Sequence, residues 1–193
     1  QQLSENWNRR TGSFVNLYTY TNAEEVELLV NGQSYGRKQN PSDPKLRNQL
    51  LWKDIPWQKG KVEAIARNGG KVVARHQLET TGKAVRLAAE ADNEQWKADG
   101  MDLQHIRITA VDTKGRRVLD ADDLRTFEVE GPASIVAVSN GDITSDELHH
   151  LPSRQLYHGS AMVILRARQE AGTVVLHIKS RYKSIDLKYN LVK

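Results

Sequence analysis

The richest set of oxygen donors in the chain is Ser139-Asn140-Gly141-Asp142-Ile143-Thr144-Ser145-Asp146-Glu147. Carboxylates, a carboxamide and hydroxyls crowded this closely could hold a hard cation, which takes oxygen ligands alone. The same residue types also bond back to their own backbone in Asx and ST turns, and that self-bonded loop is the expected outcome. Either way Asn140, Asp142, Ser145 and Glu147 are the candidate functional loop. Asp120-Ala121-Asp122-Asp123 opens like a calcium loop. An EF-hand needs glycine sixth and glutamate twelfth, and both are missing, so a turn-capping acidic cluster is expected. His149-His150 and His158 make a third set. Adjacent histidines on a strand point to opposite faces, and no partner stands at zinc-type spacing, so a surface cluster is expected and no metal is assigned.

Hydrolytic chemistry needs more than acidic residues. The 24 Asp and Glu allow many pairs, but a glycosidase pair must sit in a cleft with one pKa raised by an apolar wall. Here the acidic residues alternate with apolar ones, which puts them on solvated faces. Neither G-x-S-x-G, a P-loop nor a dinucleotide fingerprint occurs, and there is no cysteine. No catalytic and no cofactor-binding residue is therefore assigned. The tryptophans remain: Trp7, Trp52, Trp57 and Trp96. An exposed indole can stack on a sugar ring, whereas tryptophan in general covers core edges and interfaces. Packing is the expected role; Trp7, Trp52 and Trp57 are kept as candidates for an interface or for sugar stacking.

The elements that would position these groups have a period of two. Val26, Leu28 and Val30 alternate with Glu25 and Glu27, as in a half-buried strand. Asn31-Gly32 follows, and both residues tolerate the positive φ of a tight hairpin turn. Lys61–Arg67 and Lys71–Glu79 flank Asn68-Gly69-Gly70, a second hairpin, with Val72, Ala74, His76 and Leu78 on the inner row. Gln39–Gln49, with Pro41 and Pro44, reads as a long loop before a short apolar piece, Leu50–Lys53. After Thr80-Thr81-Gly82-Lys83 the alternation restarts, and it runs to Ile185, Leu187, Tyr189 and Leu191. Many short strands between turns predict an all-β fold of two tandem immunoglobulin-like β-sandwiches, residues 1–81 and 82–193.

The balance of 28 basic against 24 acidic residues leaves +4, but the signs are interleaved. A nucleic-acid surface gathers its basic residues on one face, so no nucleic-acid partner is expected. No apolar run approaches the ~20 residues of a membrane helix. Gln1–Arg10 is polar and carries no signal core, which suits a mature, cytosolic or partial chain.

Trp7-Asn8, then Val15-Asn16-Leu17-Tyr18-Thr19-Tyr20-Thr21-Asn22, then Glu25-Val26-Glu27-Leu28-Leu29-Val30-Asn31-Gly32-Gln33-Ser34-Tyr35-Gly36-Arg37 resemble the post-barrel domain of bacterial family 2 glycoside hydrolases, the β-galactosidase-like enzymes. Arg9 stands where that family usually has a second tryptophan. The second half resembles the invasin-like, immunoglobulin-like terminal domain of the same enzymes, through Lys97–Leu103, Phe127–Pro132, Ser139–Asp142, Ser145–Glu147 and Tyr157–Gly159. The resemblance implies a non-catalytic C-terminal tandem whose partner is an upstream catalytic barrel. That barrel carries the family's two catalytic glutamates, so none transfers to this chain. It further implies a periplasmic or cell-surface location. The alternative is a carbohydrate-binding module that uses the tryptophans.

Overall fold

The structure, a computed structural model, describes residues 6–93 and 95–193. Asn31 and Gly32 take φ of 50° and 86°, the pair of left-handed residues that a type I′ turn requires. They join β2 (Glu25–Val30) to β3 (Gln33–Gln39). The remaining strands of this half are β1 (Phe14–Tyr20), β4 (Gln49–Pro56), β5 (Lys61–Asn68) and β6 (Lys71–Glu79). They form a four-stranded sheet, β3-β2-β5-β6, and a two-stranded sheet, β1-β4, all antiparallel. Val26, Leu28, Val30 and Val62 of the larger sheet are buried in one cluster with Leu50, Trp52 and Ile55 of the smaller, closed by Trp7. Each such side chain contributes about 1.5–3 kcal/mol by leaving water.

The difference in strand number has a consequence. Two strands can cover only the middle of a four-stranded sheet, so β6 lies uncovered: Val72 is 45% exposed and His76 is exposed, although both sit on the expected inner row. β4 is also longer than the sequence suggests, because a bulge opposite Asn16 absorbs Asp54 at φ 52° and lets pairing continue to Pro56.

The second half contains β7 (Arg86–Ala91), β8 (Trp96–Lys97), β9 (Leu103–Val111), β10 (Leu124–Glu130), β11 (Ala133–Ser139), β12 (Ser153–Gln155), β13 (Ser160–Ala167), β14 (Gly172–Lys179) and β15 (Ile185–Val192). Its sheets run β11-β13-β9-β7 and β12-β10-β14-β15-β8. Ile106, Ile108, Val163 and Leu165 of the first sheet share a fully buried core with Phe127, Val174, Leu176 and Ile178 of the second. β8 pairs parallel to β15 and brings in Trp96, whose Nε1 donates to the Asp102 carbonyl. The chain is thus all-β, two immunoglobulin-like sandwiches in tandem, and it separates into compact units at Thr81/Gly82.

Candidate functional site

The oxygen-rich loop leaves β11 at Ser139 and returns at β12. Its organising group is Arg154, which stands two residues before the buried Leu156 and is 1% exposed. The Arg154 guanidinium donates to the Val138 carbonyl at 2.8 Å and, more weakly, to Ser145 Oγ at 3.5 Å and Glu147 Oε2 at 3.4 Å. His149 Nδ1 lies 3.0 Å from both Arg154 Nη2 and the Val138 carbonyl, so it accepts from one or donates to the other according to its tautomer. Glu147 Oε1 accepts the Gln155 N–H at 3.1 Å, and Asn140 Nδ2 donates to the Gln155 carbonyl at 3.0 Å. Asp142 Oδ1 accepts both the hydroxyl and the N–H of Thr144, at 2.7 and 2.9 Å. Those two bonds, the hydroxyl's first, hold the Asp142 carboxyl below the ordinary carboxylate range. The four loop candidates are therefore brought together as a self-bonded loop whose donors and acceptors answer one another.

One sign of this arrangement stands in the sequence itself. Arg125 is a charged residue on an apolar row of its strand, Arg154 stands two residues before the core residue Leu156, and both are buried. Arg125 alternates with Phe127 and Val129 on β10. Its guanidinium pairs with Asp123 and lies 5.2 Å over the Tyr182 ring. Tyr182 donates its hydroxyl to Asp123 at 3.1 Å, and Arg181 stands 3.4 Å from the same carboxylate. Burial pushes the Asp123 carboxyl up, but the bond and charge of Arg125, with the Tyr182 hydroxyl, outweigh it and the net shift is down. Asp123 is thus an anchor for a buried arginine rather than a turn cap.

Two tryptophan candidates are corrected by their burial. Trp7 and Trp52 are 1% and 2% exposed, and their indole N–H groups donate to the Gln58 carbonyl and to Thr19 Oγ1. Neither offers a free ring to a sugar or a partner. Trp57 is half-buried, tilted against Trp7 with centroids 6.4 Å apart, and donates to the Trp7 carbonyl. An aromatic beside a bonded backbone group closes a core edge more cheaply than it stays in water.

The histidines do not converge. His149 belongs to the loop above, and His158 occupies a turn at φ 48° with its ring against Tyr157. Among the described residues no three His, Asp or Glu side chains are placed to hold a metal. The two recesses of note are shallow. One, of about 250 Å³, is lined by Glu128, Glu130, His177, Lys179 and Asp186; the other, of about 120 Å³, by Glu90, Asp92, His105 and Arg107. In the first, His177 Nδ1 lies 2.8 Å from Asp186 and Nε2 lies 3.5 Å from Glu130, and the Asp186 bond leads in raising the imidazole pKa.

Among the described residues, every carboxylate displaced from its ordinary pKa is displaced downward. Ser34 and Arg67 do this for Glu27, Arg75 for Glu63, the N–H groups of Met101 and Asp102 for Asp99, Arg116 for Asp112, and Lys179 for Glu128. A general acid at neutral pH needs the opposite shift.

Residues 87–184 match glycoside hydrolase family 2 C-terminal domain 5, and residues 12–74 match a domain of unknown function, DUF4982. A β-galactosidase of Bacteroides ovatus, BoGH2A, is 34% identical over 90% of this chain and 20% of its own length. A β-glucuronidase of Formosa agariphila is 28% identical over 90% of the chain and 17% of its own length. A solved family 2 glycosyl hydrolase from Bacteroides cellulosilyticus superposes with TM-score 0.93 at 32% identity, over 98% of this chain and 24% of that one. The chain thus spans about one fifth of the length of the curated relatives it matches.

Proposed function

We propose that this chain, which belongs to glycoside hydrolase family 2 through its C-terminal domain 5, serves as a pair of non-catalytic accessory domains of a β-galactosidase-like enzyme. In this role the sandwiches support the catalytic barrel or shape access to its cleft. The observation that carries the reading is the state of the carboxylates. Among the described residues, where their pKa values move they move down, each beside a donor that holds it ionised. Retaining and inverting hydrolysis both need one carboxyl that keeps its proton. Burial of Trp7 and Trp52 weighs against a module that binds sugar through its tryptophans and leaves only the half-buried Trp57 for that role among the three candidates.

The test is an assay of the 193-residue chain on aryl β-galactosides and aryl β-glucuronides. Release of the aryl group at the buffer rate is expected, and turnover above it overturns the reading. A family 2 catalytic region made without its own C-terminal modules should gain thermal stability, or change its KM for long substrates, when this chain is fused behind it.

A further inference from the structure

Among the described residues, the two aromatic side chains left largely in water are Phe14, 68% exposed, and Tyr20, 62% exposed. Both lie on the outer face of β1, the face opposite Val15, Leu17 and Thr19. Tyr18 stands between them, half-buried, and its ring lies 6.3 Å from that of Tyr20 with the two planes only 18° apart. Chance would scatter exposed aromatics over a surface; here they line one strand of a two-stranded sheet.

We propose that this outer face of β1 and β4 is a binding platform for an extended β-linked glycan. From Phe14 to Tyr20 the row runs about 20 Å at the antiparallel rise, long enough for several sugar rings in succession. A pyranose presents weakly positive C–H groups on one face, which pack on the negative face of an aromatic ring, and hydroxyls around its rim. The protein surface has the matching layout. Asn16 interrupts the aromatic row, and its Oδ1 is held by the Asp54 N–H at 3.0 Å, which fixes the amide and leaves its NH₂ to donate. Gln49 and Lys53, on the outer side of β4, border the row with further polar groups, while Leu51 and Pro56 lie opposite Tyr18 and Phe14. The exposed line is one strand wide and carries amides beside its rings, a layout that answers the ring faces and hydroxyls of a sugar chain. The position of the platform stands on the geometry alone, whereas the choice of a glycan as occupant rests on the family reading above.

Native electrophoresis in gels containing soluble β-galactan or hydroxyethyl cellulose, with dextran as the α-linked control, tests this on the full chain. Retardation by one of the β-linked polymers, and not by dextran, is expected. Phe14→Ala with Tyr20→Ala should weaken it about tenfold with the melting temperature unchanged, and Tyr20→Phe, which keeps the ring, should retain it. The proposal is overturned if neither β-linked polymer retards the chain, or if the double variant is retarded like the parent. It is equally overturned if sedimentation shows the parent self-associating through this face and the double variant monomeric. Absence of retardation with a blank aryl-glycoside assay removes the platform and leaves the accessory role. Turnover of aryl glycosides does the reverse.

Discussion

Asp112 offers the sharpest test of how the second sandwich is held together. It is 1% exposed at the end of β9 and accepts five hydrogen bonds. Oδ1 takes the N–H groups of Lys114 and Arg116 at 2.9 and 3.0 Å. Oδ2 takes the Gly82 N–H at 3.0 Å and two donors of the Arg116 guanidinium at 3.0 and 2.7 Å. Arg116 above all, then the backbone donors, hold the carboxyl far below its ordinary pKa against the cost of burial. Asp112→Ala leaves three N–H groups and a guanidinium without their acceptor. A single bond to a charged group is worth about 1.5–3 kcal/mol, and breaking a buried pair costs about 3–5. Arg116 is 28% exposed and can turn to water, so a loss of about 3 kcal/mol is expected. For a domain of roughly 110 residues that lowers Tm by about 12 °C. Calorimetry at pH 7 should show the transition of residues 82–193 shifted by this amount and that of the first unit in place, since all five donors belong to the second. The sign with pH is fixed by the lowered pKa: the contribution is full above the unfolded value near pH 4 and fades as acid titrates toward the folded one. The gap between parent and variant should therefore close below about pH 4. A Tm drop under about 3 °C at pH 7, or a gap indifferent to acid, would refute the reasoning.

Three further outcomes are expected. Gly159, at φ 73°, lets its backbone meet the Val118 carbonyl, and a Cβ there would collide with that carbonyl; Gly159→Ala should cost about 2–4 kcal/mol in chemical denaturation, and a cost within 0.5 kcal/mol of zero would contradict this. Arg154→Met should leave Val138 and Glu147 without their donor, lower stability by about 2 kcal/mol, and speed amide exchange across residues 140–147; unchanged exchange in that loop would mean the arginine does not organise it. His177, bonded to Asp186 and facing Glu130, has a raised pKa, so its contribution is present below about pH 6.5 and is lost as pH rises through the folded value. His177→Gln should therefore melt below the parent at pH 5.5 and together with it at pH 9, and the opposite order would count against the pair.

The strand alternation made most of the architecture readable in advance, because an antiparallel sheet with one wet face writes its period into the sequence. What alternation cannot encode is how many strands stand opposite. Lys71–Glu79 reads as a half-buried strand and pairs as one, yet Val72 and His76 are exposed because only β1 and β4 face that sheet. The loop of Asn140–Glu147 was legible as a self-bonded turn from its residue types. Its centre was harder to see, since Arg154 lies outside the oxygen-rich stretch and only its spacing from Leu156 sets it apart from a surface cation.

The aromatic residues show the same limit from the other side. In Phe14–Tyr20 both rows are apolar: Val15 and Leu17 on one, Phe14, Tyr18 and Tyr20 on the other. A period of two then says that a strand exists without saying which row is wet. The partner strand decides it. Leu50, Trp52 and Ile55 of β4 enter the core, and the bulge at Asp54 keeps Trp52 and Ile55 on one face despite their odd spacing. Pairing carries Leu17 inward opposite Trp52 and leaves Tyr18 outward opposite Leu51. Tryptophan, the residue whose size and chemistry invite a sugar-binding role, is thereby spent on the core. The tyrosines and Phe14 take the exposed face that its type alone would have claimed.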